Sequence, residues 1–161
     1  MRGALLLVLA SCGARTDLGG QRGDASSAPP GTELQGVVVN DCAPNDGPAI
    51  AFALALPGAT VIPSCPNSVV SALSVRISIW IDPPTGPTTY ALGSGSFSSG
   101  SIAVVCPFKG QCVAANSGTL TLTTFDASSA TGHFTLEMPD STTMTGNFTA
   151  ISVCHNITQC G

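Results

Sequence analysis

Cysteines are the residues of this chain best equipped for chemistry, and the seven divide unevenly. Cys12 stands alone near the start, while Cys42, Cys65, Cys106, Cys112, Cys154 and Cys160 follow as an even set. Thiols in such a set pair into a disulfide framework when a protein leaves the reducing cytosol. Cys106-Pro-Phe-Lys-Gly-Gln-Cys112 and Cys154-His-Asn-Ile-Thr-Gln-Cys160 share one spacing and enclose polar or turn-prone residues, which suggests two disulfide-closed loops. The third bridge would then join Cys42 to Cys65, although six cysteines allow 15 connectivities. Cys154, His155 and Cys160 also form a metal-ligand set, but structural zinc favours a closer cysteine spacing and export favours oxidation, so no metal is expected.

The other chemically suggestive groups each have a plainer explanation. Asn40, Asp41, Asn45 and Asp46 offer hard oxygen ligands for calcium, yet Pro44 interrupts the spacing of an EF-hand loop, and Asx residues before Gly47-Pro48 are ordinary turn chemistry. His133 has Asp126, Glu137 and Asp140 nearby, the raw material of a hydrolytic triad, but a histidine on the polar face of a strand accounts for it. No G-x-S-x-G elbow, H-E-x-x-H helix, Walker loop or C-x-x-C motif is present, so no catalytic residue is assigned and no cofactor is expected. Trp80 and Arg76 fall on the same side of one strand and are the candidate ligand contacts, since an indole beside a cation can stack on a sugar or a partner surface. A second layer covering that face is the competing explanation.

The elements that carry these residues read as strands. The chain is 43% hydrophobic but only 9% charged, with 18 Gly and 12 Pro, which suits short strands and many turns better than charged amphipathic helices. Val75, Ile77, Ile79 and Ile81 alternate with Ser74, Arg76, Ser78 and Trp80, the period of two that puts alternate side chains on opposite faces. Shorter strands are expected over 36–39, 49–56, 88–92, 101–106 and 118–125; the Ala and Leu of 49–56 suit a helix equally. Thr131-Gly-His-Phe-Thr135 is echoed by Thr145-Gly-Asn-Phe-Thr149, with Pro139-Asp140-Ser141 between them to turn the chain. That reads as a hairpin with both Phe134 and Phe148 facing a core. The expected fold is all-β, an antiparallel β-sandwich or small barrel over residues 34–161.

Ahead of this domain, residues 1–11 run from a charged start into an apolar stretch, Ala4 to Ala10, the layout of a secretory signal and too short to span a bilayer. Leu9-Ala10-Ser11-Cys12 resembles the lipobox of bacterial lipoproteins. The resemblance implies cleavage before Cys12, diacylation of its thiol and acylation of the new amino terminus, which would account for the odd cysteine. Gly13 stands where enterobacterial members of that family carry an Asp for inner-membrane retention, so the implied location is the cell envelope, at the outer membrane. Residues 12–33 then supply the lipidated cysteine and a disordered tether of Gly, Ala, Ser and Pro, about 25 Å in root-mean-square reach.

From the 118–122 strand through the hairpin to Cys154, the chain also resembles uncharacterised lipoproteins of myxobacteria, a likeness that implies a β-sandwich or barrel and brings no activity with it. The formal charge of -4, with only Arg76 and Lys109 as cations after residue 33, excludes a phosphate-backbone partner, so no nucleic acid is expected. The membrane, through the N-terminal lipid, is the one partner expected. The combined expectation is a lipid-anchored, non-catalytic binding or structural module, with a small exported hydrolase of envelope polymers as the alternative class.

Overall fold

The alternation of apolar and polar residues becomes strand after strand in the computed structural model, which describes residues 33–44, 47–62, 69–70, 73–80, 82–94, 100–108 and 111–152. The chain forms β1 (Glu33–Cys42), β2 (Pro48–Ala55), β3 (Val61–Ile62), β4 (Val69–Val70), β5 (Ser74–Ile79) and β6 (Thr88–Leu92). It continues through β7 (Ser101–Phe108), β8 (Gln111–Ala114), β9 (Ser117–Phe125), β10 (Ser129–Glu137) and β11 (Thr143–Ser152). No helix occurs among the described residues. The segment whose Ala and Leu suited either state is the strand β2: its neighbours β1 and β5 take up both of its edges, and tertiary pairing overrides the helical preference of alanine.

Nine strands make one sheet in the order β6-β9-β10-β11-β1-β2-β5-β7-β8, and β3 pairs with β4 separately. The sheet curls on itself. Phe52 of β2 meets Phe125 of β9, four strands away in the order, edge to face at 6.5 Å between ring centroids. At the seam, Gly93 and Ile102 form a parallel bridge between the end of β6 and β7. The Ser101 hydroxyl donates to the Ala91 carbonyl at 2.5 Å across the same gap, and the Gly93 N–H donates to the Ser101 carbonyl at 3.1 Å. One departure from the expected all-antiparallel pattern stands out: β1 runs parallel to β11, Glu33 aligning with Asn147 and Val38 with Ser152. The first and last of these strands lie side by side in the same direction in the middle of the sheet.

The hairpin of β10 and β11 explains the internal repeat. Its register places Gly132 opposite Phe148 and Phe134 opposite Gly146, so each copy of Thr-Gly-x-Phe-Thr supplies a glycine to the other copy's ring. Both phenylalanines are buried. The hairpin closes through Met138 N–H to the Thr142 carbonyl at 2.8 Å, and Ser141 takes a left-handed conformation at φ 66° in the turn.

Burial is deeper than a single-faced sheet requires. Val37, Ala51 and Ser78 lie on the faces of β1, β2 and β5 away from Phe52 and Ile77, yet all three are buried. Strands β3 and β4 pack near β1 and β2. Ile81, expected to extend the aliphatic row of β5, lies outside the described residues. Glu33, which composition assigns to the tether, is the first residue of β1.

Phe52 sits at the centre of the aromatic contacts, with Phe148 at 5.8 Å on one side and Phe125 on the other. Phe52→Ala is expected to lower unfolding free energy by about 3–5 kcal/mol, the usual cost of emptying a buried aromatic site. A shift of the urea midpoint with unchanged slope would establish it; a loss under about 1 kcal/mol would show that the two halves of the sheet do not share this core.

Candidate functional site

The inward-facing row of β1 runs Leu34, Gly36, Val38 and then Asn40, three apolar or small residues followed by a polar one at the end of the sheet. Asn40 therefore points into the mouth of the curled sheet. There, Val38, Asn40, Ile50, Thr85, Phe125, Asp126 and Ala127 line an open cleft of about 280 Å3. Val38 and Ile50 are buried and form an apolar floor, Phe125 is half-buried, and Thr85, Asp126 and Ala127 are exposed at the rim.

Each rim residue is held by local chemistry. Asp126 opens the β9–β10 turn, where one oxygen, Oδ1, accepts from the Ser128 N–H at 2.7 Å, the Ser128 hydroxyl at 2.7 Å and the Ser129 N–H at 2.9 Å. Those donors, the Ser128 hydroxyl foremost, stabilise the ionised carboxylate and hold its pKa below the ordinary value. Thr85 lies in the loop before β6. Asp82 in that loop adopts φ 49°, and the Tyr90 hydroxyl donates to its carbonyl at 2.9 Å, which ties the loop to β6. Burial, with the nearby Asp82 charge second, pushes the Tyr90 pKa up, so the phenol remains a donor.

A second cleft, of about 400 Å3, is lined by Glu33, Leu34, Gln35 and residues 55–60. The Glu33 carboxylate there already accepts from the Thr149 hydroxyl.

The residues singled out by type and spacing fare differently. Cys106 and Cys112 are joined, closing the turn between β7 and β8 with 4.1 Å between their Cα atoms. Cys42 is also disulfide-bonded, and its partner lies outside the described residues, as do Cys12, Cys65, Cys154, His155 and Cys160. Arg76 is 51% exposed, but its guanidinium is engaged by the Asp41 carboxylate, a pairing that reaches across β2 from β5 to β1. Trp80 is half-buried, and its backbone N–H donates to the Gly100 carbonyl at 2.8 Å. It stands four residues beyond Arg76, about 13 Å along an extended chain.

The calcium set is divided by the strand itself. Asn40 faces the mouth, whereas Asp41 faces outward, accepting from the Cys42 N–H at 2.9 Å as well as from Arg76. Asn45 and Asp46 lie outside the described residues, and no group of three His, Cys, Asp or Glu among the described ones could hold a metal. The triad set is dispersed too. His133 is exposed in mid-strand between Thr121 and Asn147, while Asp126 and Asp140 serve turns at opposite ends of β10. Around His133 the outer face is a hydroxyl lattice, with Thr89 and Thr121 at 3.1 Å and Thr124 and Thr131 at 2.7 Å.

Sequence reading passed over the mouth cleft because its residues come from three separate parts of the chain. One signal was legible: a period of two carried past Val38 puts Asn40 on the core face. No family model, curated protein or solved structure matches the chain.

Asp126 and Asp140 share a pH signature. Asp140 is also held below its ordinary pKa, chiefly by the Thr142 hydroxyl and then by the Thr142 N–H. A carboxyl lowered on folding contributes stability that is full above its unfolded value, near 3.8, and fades as pH falls through the lower folded value. Carboxyl NMR titration should therefore place both midpoints below 3.8. Asp126→Asn with Asp140→Asn should reduce the acid-side loss of stability below about pH 4. Midpoints at or above the ordinary value would contradict the turn assignment.

Proposed function

We propose that the chain is an exported, lipid-anchored envelope protein whose β domain works as a non-catalytic binding or structural module. The observation that carries this reading is the cysteine arithmetic. Cys106 and Cys112 are paired and Cys42 is bonded, which suits an oxidising compartment outside the cytosol, and Cys12 is the odd thiol at the end of Leu9-Ala10-Ser11. Cys12 takes the lipid, residues 13–32 link it to β1, and acyl chains worth about 0.8 kcal/mol per buried CH2 hold the attachment. The remaining bridges are Cys42 with Cys65 and Cys154 with Cys160. The domain sits at the outer membrane.

The module reading draws support from what the described groups do. Arg76 and Asp41 clamp β5 to β1, Asp126 and Asp140 shape turns, and His133 is flanked by hydroxyl and amide side chains. The mouth cleft is the natural place for a ligand, being concave, apolar at its base and polar at its rim. Trp80 and Arg76 remain the candidates for a contact on the outer face.

Intact mass spectrometry of the chain expressed in a bacterial host, with thiol alkylation before and after reduction, tests the anchor and the framework together. The expected species begins at Cys12, carries acyl chains, and exposes six thiols only after reduction. Cys12→Ser should abolish the acyl mass and release the protein from the membrane fraction. A chain processed elsewhere without lipid would overturn the anchor, and thiols alkylated before reduction would overturn the framework.

A further inference from the structure

We infer that the cleft at the mouth of the curled sheet is a binding site for a small amphipathic amine, a ligand with an apolar body and a cationic head. The inference concerns the cleft alone and stands whether or not Cys12 carries lipid.

Shape and polarity come first. Val38, Ile50 and the half-buried ring of Phe125 give the cleft an apolar base, and at about 280 Å3 it falls near the small end of ligand pockets, roughly 300–1,000 Å3. A compact hydrocarbon or aromatic body suits that space; a polymer chain or a long acyl tail does not. Asn40 at the inner wall and Thr85 at the rim add hydrogen-bonding groups to orient a polar end.

Charge selects the head group. Asp126 is the one ionisable side chain among the described residues of the lining. Its Oδ1 is used by the turn, but Oδ2 takes no hydrogen bond and Asp126 enters no ion pair among the described residues. An exposed aspartate is ionised at neutral pH, and the donors on Oδ1 hold its pKa lower still, so the rim carries a negative charge there. Cations that could cancel it are scarce. After residue 33 the chain has only Arg76 and Lys109, and Arg76 is held by Asp41. Phe125 adds an aromatic ring to the same lining, a second favourable partner for an ammonium group. The larger cleft near Glu33 lacks this combination, because no aromatic ring stands among its described lining residues.

The test compares isosteres on the full chain in oxidised form. 2-Phenylethylamine and 2-phenylethanol share a body and differ in charge, so NMR titration at low ionic strength reads the carboxylate directly. At low ionic strength the amine is expected to bind several-fold tighter than the alcohol and to shift resonances of Val38, Ile50 and Phe125. Asp126→Asn keeps an acceptor oxygen for the turn and should bring the amine down to the affinity of the alcohol. Thr85→Trp, at an exposed rim position, should weaken both ligands by closing the mouth. Equal binding of amine and alcohol, an Asp126→Asn variant with undiminished preference for the amine, or shifts confined to another surface would each overturn the inference. No binding by either compound would do the same, and none of these results bears on the mass of the lipidated chain.

Discussion

Four glycines on the core face govern how this sheet can close. Each lies directly across from a large side chain: Gly36 from Leu54, Gly118 from Leu136, Gly132 from Phe148 and Gly146 from Phe134. A Cβ at Gly146 would come within 2.7 Å of the Phe134 ring, whereas one at Gly36, Gly118 or Gly132 would first meet a neighbouring strand's carbonyl oxygen, at 2.6, 2.3 and 2.2 Å, with the large side chain next. Small opposite large is how side chains fill a tightly curved sheet, where inward-facing positions crowd together. The pairs also fix register. Slipping one strand of the hairpin by one residue would turn its phenylalanine to solvent, and slipping it by two would set each ring against a residue that has its own Cβ.

From that packing the curvature follows, and from the curvature the site. With its inner face filled by Phe52, Phe134 and Phe148, the sheet brings β6 round to β7 and leaves an opening where β1 and β9 end. The parallel pairing of β1 with β11 holds the hairpin against the N-terminal half, so Asn40 and Ile50 face Asp126 across one mouth. The disulfide at β7–β8 sits at the other end of the strand order and stabilises an end strand, Gln111–Ala114, whose residues are all exposed. Arg76 and Asp41 act similarly on the outer surface, tying three adjacent strands with one pair of charges. At half exposure such a pair contributes little to stability, about 0–1 kcal/mol.

Much of the fold was legible because strand patterning is local. Val75, Ile77 and Ile79 alternate with polar residues, and the two Thr-Gly-x-Phe-Thr copies announce a hairpin across an obvious turn. The Cys106–Cys112 bridge was readable for the same reason, its partners being neighbours on either side of a tight turn. What escaped depends on distant partners. Strands β3, β4 and β8 are too short to show a period, the parallel β1–β11 pairing joins strands about a hundred residues apart, and Asp41 meets Arg76 only because β2 lies between their strands. The cleft was hidden in the same way, for Asn40 and Asp126 each suggested other partners near them in sequence and meet Thr85 only when the sheet curls.

A double-mutant cycle at Gly146 and Phe134 tests the packing rule most directly, with unfolding free energies measured by urea. Gly146→Ala alone should cost about 1–3 kcal/mol through overpacking, and Phe134→Leu alone should cost less than the removal of a whole ring. If the glycine exists to admit the phenylalanine, the double variant will be more stable than the sum of the single effects by about 1 kcal/mol or more. Strict additivity would contradict the account, because it would mean that the ring and the missing Cβ do not compete for the same space.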